Sequence, residues 1–534
     1  MKASEAKLLD FLRKSPQFII PIYQRTYSWG EQQCLQLWND ILRAGASDDI
    51  SAHFIGSVVY IENGLYQVSA QSSLLVIDGQ QRLTTAMLIL EALSRHLKDS
   101  EPLDGFSARK LRNYYLLNPQ EDGERGYKLL LNHTDKKSLL ALVTQQELPD
   151  NCSLRIKQNF EFFNVKITSL NGHLEKLCKG LSKLILVDVA LNREQDNPQL
   201  IFESMNSTGK ALNQADLIRN FVLMGMEPAH QTRLYQDHWY LMEVAFGQEG
   251  YGQYFDGFMR HYLTIKTGEI PRIGEVYEAF KQYARRREIA TAGIDRLVAE
   301  IHLFARFFCA MALDQETNKL LSVAFRDLRE LKVDVAYPFL LELYHDYRNQ
   351  RLSCDDFCCA VRLIEAYVFR RAVCSIPTNS LNKTFATFGK ALQKDRYLES
   401  IKAHLLKLPS RQRFPDDDEF KRELCTRDLY NFRNRTYWLS RLENFERKER
   451  VSVGEYTIEH IMPQNKKLSK KWQDELGSEW KSVHQTLLHT LGNLTLTGYN
   501  SEYSDRSFAE KRDMQGGFRQ SPLRLNQGLS IEQT

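Results

Sequence analysis

The residues best suited to chemistry lie near the C-terminal end of the chain. Tyr456-Thr457-Ile458-Glu459-His460-Ile461-Met462-Pro463 sets a carboxylate beside an imidazole at the end of a β-compatible run. Downstream, Leu491-Gly492-Asn493-Leu494-Thr495-Leu496-Thr497 reads as a second short strand. A polar loop with Tyr499 and Asn500 follows, then a helix from Asp505 through Phe508 and Lys511. Phosphodiester hydrolysis needs a base to deprotonate water and a divalent cation to neutralise the phosphate and the leaving oxygen. His460 suits the base, because imidazole titrates near neutrality, while Glu459 and the amide oxygen of Asn500 are hard ligands suited to Mg²⁺ or Mn²⁺. Asn493 is expected to hold the loop and to orient His460 by hydrogen bonding.

Strand, loop, strand and helix in this order are what a ββα-metal nuclease site requires. A Glu-His pair alone is more often surface than catalytic, so the ordered set carries the reading. His484 and His489 also lie in this interval. Their helical setting does not point at the pair, and they read as structural or DNA-facing.

A second stretch combines a strand, a tight turn and a helix start: Leu74-Leu75-Val76-Ile77-Asp78-Gly79-Gln80-Gln81-Arg82-Leu83-Thr84-Thr85. Asp78 is placed to accept from the first free N–H groups of the helix, and Gly79 tolerates a backbone that a side chain forbids. The helix dipole and the donors of Gln80, Gln81 and Arg82 favour an anion such as phosphate. An ordinary capped helix with a solvated Arg has the same pattern. Further upstream, Pro21-Ile22-Tyr23-Gln24-Arg25-Thr26-Tyr27-Ser28-Trp29 packs three aromatics and an Arg just after a strand at Phe18–Ile20. Arg between aromatic planes pairs with phosphate or stacks on a base, and the same residues serve equally as a core-covering lead-in.

These residues need elements to position them. Residues 5–14 read as a short amphipathic helix, and a longer helix runs through Leu35, Trp38 and Ile41. Phe54–Ile61 is expected to pair with Tyr66-Gln67-Val68 across Asn63-Gly64, a strong hairpin signal. Leu184–Val189 reads as another strand. From Phe202 to Asn220 the pattern is helix, polar turn and a second helix capped by Asn213, with Asp216, Arg219 and Asn220 on one face. From about 226 to 450 helical periodicity dominates. Arg285-Arg286-Arg287 and Arg370-Arg371 are short basic clusters of the kind usually found on solvated helix faces. Pro415–Glu419 reads as an acidic loop or helix start.

At 534 residues the chain exceeds one core, and the length prior suggests about three domains. Hydrophobic residues at 43% and charged residues at 26% fit a globular protein, and a net charge of +4 argues for local basic patches rather than a positive coat. The charged N-terminus lacks the apolar core of a secretory signal, so a cytoplasmic, non-membrane protein is expected. Nine cysteines include no CxxC pair. Cys354, Cys358 and Cys359 read as buried thiols in a helix.

The segments Pro21–Arg25, Ile77–Thr85, Asn206–Asn220, Ile458–Pro463 and Leu491–Leu496 together resemble the GmrSD-type modification-dependent (type IV) restriction enzymes. The resemblance implies an α+β multidomain chain: a GmrS-like, ParB/sulfiredoxin-like domain over 1–225, an α-helical middle over 226–450 and a GmrD-like HNH (ββα-metal, His-Me finger) domain over 451–534. It implies binding and hydrolysis of a nucleotide, GTP or ATP, at Asp78, Gly79, Gln80, Gln81, Arg82 and Thr84. Sensing of a DNA modification carries onto Tyr23, Gln24 and Arg25. In the HNH set, His460 is the base, Glu459 and Asn500 hold the metal, and Asn493 orients. Many HNH enzymes have Asp where Glu459 stands. The expected activity is nucleotide-dependent cleavage of modified phage DNA, with a homo-oligomer left open. The alternatives are a nucleotide-regulated DNA-binding module with a vestigial nuclease domain and a nucleotide hydrolase acting on another partner.

Overall fold

A computed structural model of the chain describes residues 1–63, 73–192, 196, 199, 201 and 213–531. They divide into two compact units, Met1–Leu241 with Ala290–Val298, and Met242–Ile289 with Ala299–Thr534. Both helices and strands contribute, so the chain is a mixed α+β multidomain protein.

The first unit is built on one mixed sheet. Its strands are β1 (Lys2–Lys7), β2 (Phe18–Ile19), β3 (His53–Asn63), β4 (Ser73–Asp78), β5 (Leu129–Leu130) and β6 (Leu184–Leu191), in the order β1-β6-β3-β4-β2-β5. β3 runs parallel to β6 and antiparallel to β4, while β2 is parallel to both β4 and β5. Alternation along β3 explains how both faces are covered. Val58 and Tyr60 join the large core made with α1 (Leu8–Lys14), α2 (Glu31–Ala46), α3 (Gln80–Leu97), α4 (Leu154–Thr168) and α5 (Glu175–Ser182). Val59 and Ile61 belong to a second cluster with Ile77, Val189 and Leu191, against which Leu217 and Met224 pack from α6 (Gln214–Leu223) and its end. α3 is buried on most sides, so it is the central helix of the unit.

The second unit is mainly helical. α7 (Gln248–Thr267), α8 (Lys319–Leu331), α9 (Tyr337–Arg348), α10 (Cys354–Val373) and α11 (Arg435–Glu443) precede an antiparallel strand pair, β7 (Thr457–His460) and β8 (Leu494–Thr497). Between the strands lies α12 (Trp480–Leu487). After them come α13 (Asn500–Tyr503), α14 (Phe508–Asp513) and α15 (Arg524–Ile531). Asp327 of α8 is fully buried, and its carboxylate accepts from Arg362 at 2.6 Å, Arg441 at 3.1 Å and Arg450 at 2.7 Å. These bonds tie α8, α10 and α11 to the segment that leads into β7. Buried Glu443, at the end of α11, accepts the backbone N–H groups of Arg524 and Leu525 and so caps α15.

Several expectations change. β1 takes Glu5 to Lys7, leaving only Leu8–Lys14 helical. The partner expected at Tyr66–Val68, and the turn over 202–212, lie outside the described residues. Arg371 is not a solvated charge: it is fully buried and donates to the carbonyl of Pro377 at 2.5 Å. Of the clustered cysteines, Cys354 and Cys358 are half-buried and Cys359 is exposed. Asp416 caps the helix Asp417–Thr426 by accepting from the Glu419 N–H at 2.8 Å. Among the described residues, no helix is long and apolar enough to cross a membrane.

Candidate functional site

In the first unit, β4 ends at Asp78 and the chain turns through Gly79 into α3. Gly79, at φ +104°, occupies the cap position. A Cβ there would lie 2.9 Å from Val58 Cγ2 and 3.1 Å from the Ser57 carbonyl, so the turn requires glycine for space as well as for backbone conformation. The sequence places Asp78 as the helix cap. Its carboxylate instead faces Arg82, 3.7 Å from Nη1. Arg82 Nη1 donates to the Ser57 carbonyl, and Gly56, at φ +106°, leaves room for the guanidinium, since a Cβ would stand 2.8 Å from Nε. The β3–β6 register shift between Phe54 and Ser57 marks the same bulge.

The three upstream motifs meet here. Gln24 Nε2 donates to the Ile77 carbonyl at 2.7 Å, and Gln80 Nε2 donates to the Arg25 carbonyl at 2.6 Å. Gln81 Oε1 accepts the N–H groups of Ser28 and Trp29 at 2.8 and 3.1 Å. Asn132 Nδ2 holds the same segment through the Pro21 and Gln24 carbonyls. From α6, Arg219 pairs with Asp216 at 2.9 Å and donates to the Tyr23 carbonyl, and Arg25 lies 3.9 Å from Asp216. Burial pulls the Arg25 guanidinium down and pushes the Asp216 carboxyl up, each opposed by the other's charge. Asn213 caps α6 as its position predicts, accepting from the Asp216 N–H at 2.8 Å.

Tyr23 and Gln24 are buried, while Arg25 is half-buried. Gln80 and Thr84, one helical turn apart on α3, are both buried, and Gln80 Oε1 and Thr84 Oγ1 have no hydrogen-bond partner. Asn220 Oδ1 is buried and unpartnered as well. Orphaned buried acceptors carry a desolvation cost that a bound ligand or water relieves.

In the second unit, strand alternation sends Glu459 and His460 to different neighbours. Glu459 is buried, and its Oε1 lies 2.5 Å from Lys511 Nζ of α14. The same ammonium donates to the carbonyls of His460 and Ile461. Burial raises the Glu459 carboxyl and lowers the Lys511 ammonium, and their mutual attraction opposes both shifts. His460 is buried and touches a different set. Its Nε2 lies 3.0 Å from His489 Nδ1, its Nδ1 lies 2.9 Å from Gln464 Nε2, and its ring meets that of Tyr430 edge-on at 4.5 Å. Burial, aided by the nearby His489 and Lys511, pushes His460 down to about 4, so its imidazole is neutral at neutral pH but a weaker base than the near-neutral group expected from the sequence.

Asn493 holds the loop as expected. Its Oδ1 accepts from the Met462 N–H at 2.6 Å, and its Nδ2 donates to the carbonyls of Met462 and Leu488. It does not bond His460, whose orientation comes from Gln464 and His489. His489 is therefore a neighbour of the Glu-His pair after all: it sits in the turn after α12, where helical periodicity no longer governs direction. His484 is structural, bonding the Pro463 carbonyl at 2.9 Å. Asn500 Nδ2 donates to the Ile458 carbonyl at 2.8 Å. Its Oδ1 is not engaged by any of these bonds, whereas the Glu459 carboxylate is buried and committed to the Lys511 ammonium, away from the partners of His460. Among the described residues, no group of three His, Cys, Asp or Glu forms a ready metal site. The sequence reading does not single out Tyr430 or Gln464, and it names His489 and Lys511 without giving them a place beside the Glu-His pair. For Lys511 the signal was its place on the helix already singled out.

A mixed sheet with a polar turn at a helix start in one unit, and a His-bearing strand pair in the other, define an α+β multidomain protein. Two family models match it: the GmrSD restriction endonuclease N-terminal domain over residues 7–223, and the GmrSD restriction endonuclease C-terminal domain over residues 414–534. The chain belongs to the GmrSD restriction endonuclease family, which implies a type IV restriction nuclease with DNA as its substrate. No curated protein matches it.

Proposed function

We propose that the chain is a nucleotide-dependent endonuclease of anti-phage defence that nicks or cleaves modified DNA. Residues 1–225 bind nucleotide and sense the DNA on a ParB-like scaffold, 226–450 transmit that state, and 451–534 cut by HNH chemistry. The observation that carries the nuclease half is His460, a buried imidazole kept neutral and gripped at both ring nitrogens beside a loop locked by Asn493. In this reading the attacking water displaces the Gln464 amide from Nδ1 of His460, which takes the water's proton; the resulting hydroxide attacks phosphorus, and the P–O bond to the sugar breaks, its alkoxide taking a proton from solvent. Glu459, through the oxygen that Lys511 leaves free, and Asn500 would be the protein's own ligands to a Mg²⁺ or Mn²⁺ ion, which would supply charge neutralisation at the phosphate.

The nucleotide half is supported by the α3 N-terminus at Gly79, whose first N–H groups no side chain caps, beside Asp78, Gln81 and Arg82, with Gln80 Oε1 and the Thr84 hydroxyl left to pair with a hydroxyl or amine of the nucleotide. Arg25, the most accessible of Tyr23, Gln24 and Arg25, is the member suited to touch DNA, with the other two as its buried support. The test is nicking of modified and unmodified plasmid DNA, with Mg²⁺ or Mn²⁺ and with or without GTP or ATP. Selective, nucleotide-dependent nicking of the modified DNA is expected. A chain that retards both DNAs in a gel and cuts neither is a binding module and refutes the reading.

A further inference from the structure

His460 is touched by two segments from different parts of the sequence. The Tyr430 ring meets it edge-on at 4.5 Å, and Gln464, in the segment after β7, reaches its Nδ1. Each segment brings cations that no carboxylate neutralises. On the first, the Arg435 guanidinium lies over the Tyr430 ring, 5.2 Å from its centroid, so it stands two ring contacts from the imidazole. Arg435 is exposed and forms no ion pair among the described residues. It is also the first residue of α11, whose opening turn holds no acidic residue and whose N-terminus no side chain caps. A cation at the positive pole of a helix stabilises neither, and an anion placed there relieves both. On the second segment, Lys466 and Lys467 are exposed, and their ammonium groups are unpaired among the described residues. Their backbone is pinned: Asn465 Nδ2 donates to the Asp505 carboxylate at 2.8 Å, and Asn465 Oδ1 accepts the Lys467 N–H at 3.0 Å. The next two lysines differ, since Lys470 pairs with Asp474 at 2.8 Å and Lys471 with Glu510 at 3.4 Å.

We propose that Arg435, Lys466 and Lys467 hold backbone phosphates of duplex DNA that flank the phosphate cut at His460. This rests on the reading of His460 as the cutting site and adds the surface that seats the substrate there. Unpaired cations keep their charge for a polyanion, whereas Lys470 and Lys471 are already neutralised by Asp474 and Glu510. Backbone contacts of this kind carry no base sequence but fix where the duplex lies. Each releases condensed counterions, so each is read in the salt dependence of binding. Stacking on Tyr430 adds direction, because it holds the planar guanidinium in place to offer two N–H groups to one phosphate.

The full chain is tested by single-turnover nicking of supercoiled modified plasmid DNA with Mn²⁺ and nucleotide, enzyme in excess, at NaCl concentrations from about 50 to about 200 mM. The enzyme concentration at half-maximal rate reports productive binding. Arg435→Gln is expected to raise it about fivefold at the lowest salt, with the maximal rate within about twofold, and to flatten its salt dependence by about one phosphate contact. Lys466→Gln combined with Lys467→Gln should flatten it by about two. Arg435→Lys, which keeps the charge, should keep the salt slope, and Lys470→Gln should match wild type. A loss that is the same at every salt concentration marks Arg435 as packing for Tyr430 and overturns the proposal. So does an unchanged salt slope, or an effect of Lys470→Gln as large as that of Arg435→Gln, because net charge alone then explains the binding. Wild type that binds the plasmid and never nicks it removes the cutting reading and this proposal with it.

Discussion

Gly79→Ala forces an L-residue to φ +104° and drives a Cβ against Val58 and the Ser57 carbonyl. It is expected to cost about 1–3 kcal/mol, read as a lower urea midpoint at unchanged slope. Arg82→Ala should weaken nucleotide binding by calorimetry, and an unchanged affinity would return Asp78–Arg82 to the role of a plain helix start. His261 of α7 gives a pH prediction. Its ring packs against Phe308 and Tyr337, and burial pushes it from 6.5 down to about 3. The unfolded chain therefore binds this proton at a higher pH than the folded one. The stability contributed by the neutral ring is complete above pH 6.5 and is lost as pH falls towards 3. Between pH 7 and 4, His261→Phe should lose less stability than wild type, by on the order of 1–2 kcal/mol allowing for partial exposure. Equal losses would exclude the histidine. At this scale the sequence was legible where residue type alone decides, as with Gly79, Asn213 and the loop-holding Asn493. It was not legible where direction decides: Asp78 turned to Arg82 instead of the helix N–H groups, and nothing in the spacing of His489 shows that its turn folds back onto His460.

The elements around the C-terminal site depend on one buried ion pair. Lys511 of α14 has no exposed side-chain surface and pairs with Glu459 of β7. Lys511→Met leaves that carboxylate buried and unpaired, at an expected cost of about 3–5 kcal/mol, whereas adding Glu459→Gln should restore part of the loss. Urea unfolding of the single and double variants decides it, and equal stability of all three would mean the pair contributes nothing. The strands β4, β6, β7 and β8 were legible because short apolar runs end at Gly, Asn or Pro. β1 was not: Lys2–Lys7 carries no apolar alternation, and it is a strand because the edge of β6 offers it hydrogen bonds. Arg371 departs from its sequence pattern for a related reason. A charge run reports composition, whereas carbonyl groups brought in from Pro377 and Arg411 decide burial.

On the scale of the whole molecule, residues 451–534 do not carry their own boundary. Tyr430 packs on His460 and His489, Glu443 caps α15, and Arg450 is bound to Asp327 and Glu330. A piece beginning at residue 451 loses all of these partners and is expected to show no cooperative transition by calorimetry, while the full chain does. A sharp transition in the piece would show that the helices before it are dispensable for its fold. The composition shift near 451 marked where strands begin, not where packing ends. The C-terminal family match starts earlier, at residue 414.

On the proposed reading, His460 is the base of a DNA nuclease whose cutting is chemically separate from nucleotide hydrolysis. The most direct measurement follows DNA cleavage and nucleotide hydrolysis in the same preparations of wild type and His460→Ala, with modified DNA and Mg²⁺ or Mn²⁺. Wild type should do both, and His460→Ala should hydrolyse nucleotide at the wild-type rate while cutting no DNA. Cleavage that survives the substitution would contradict the account.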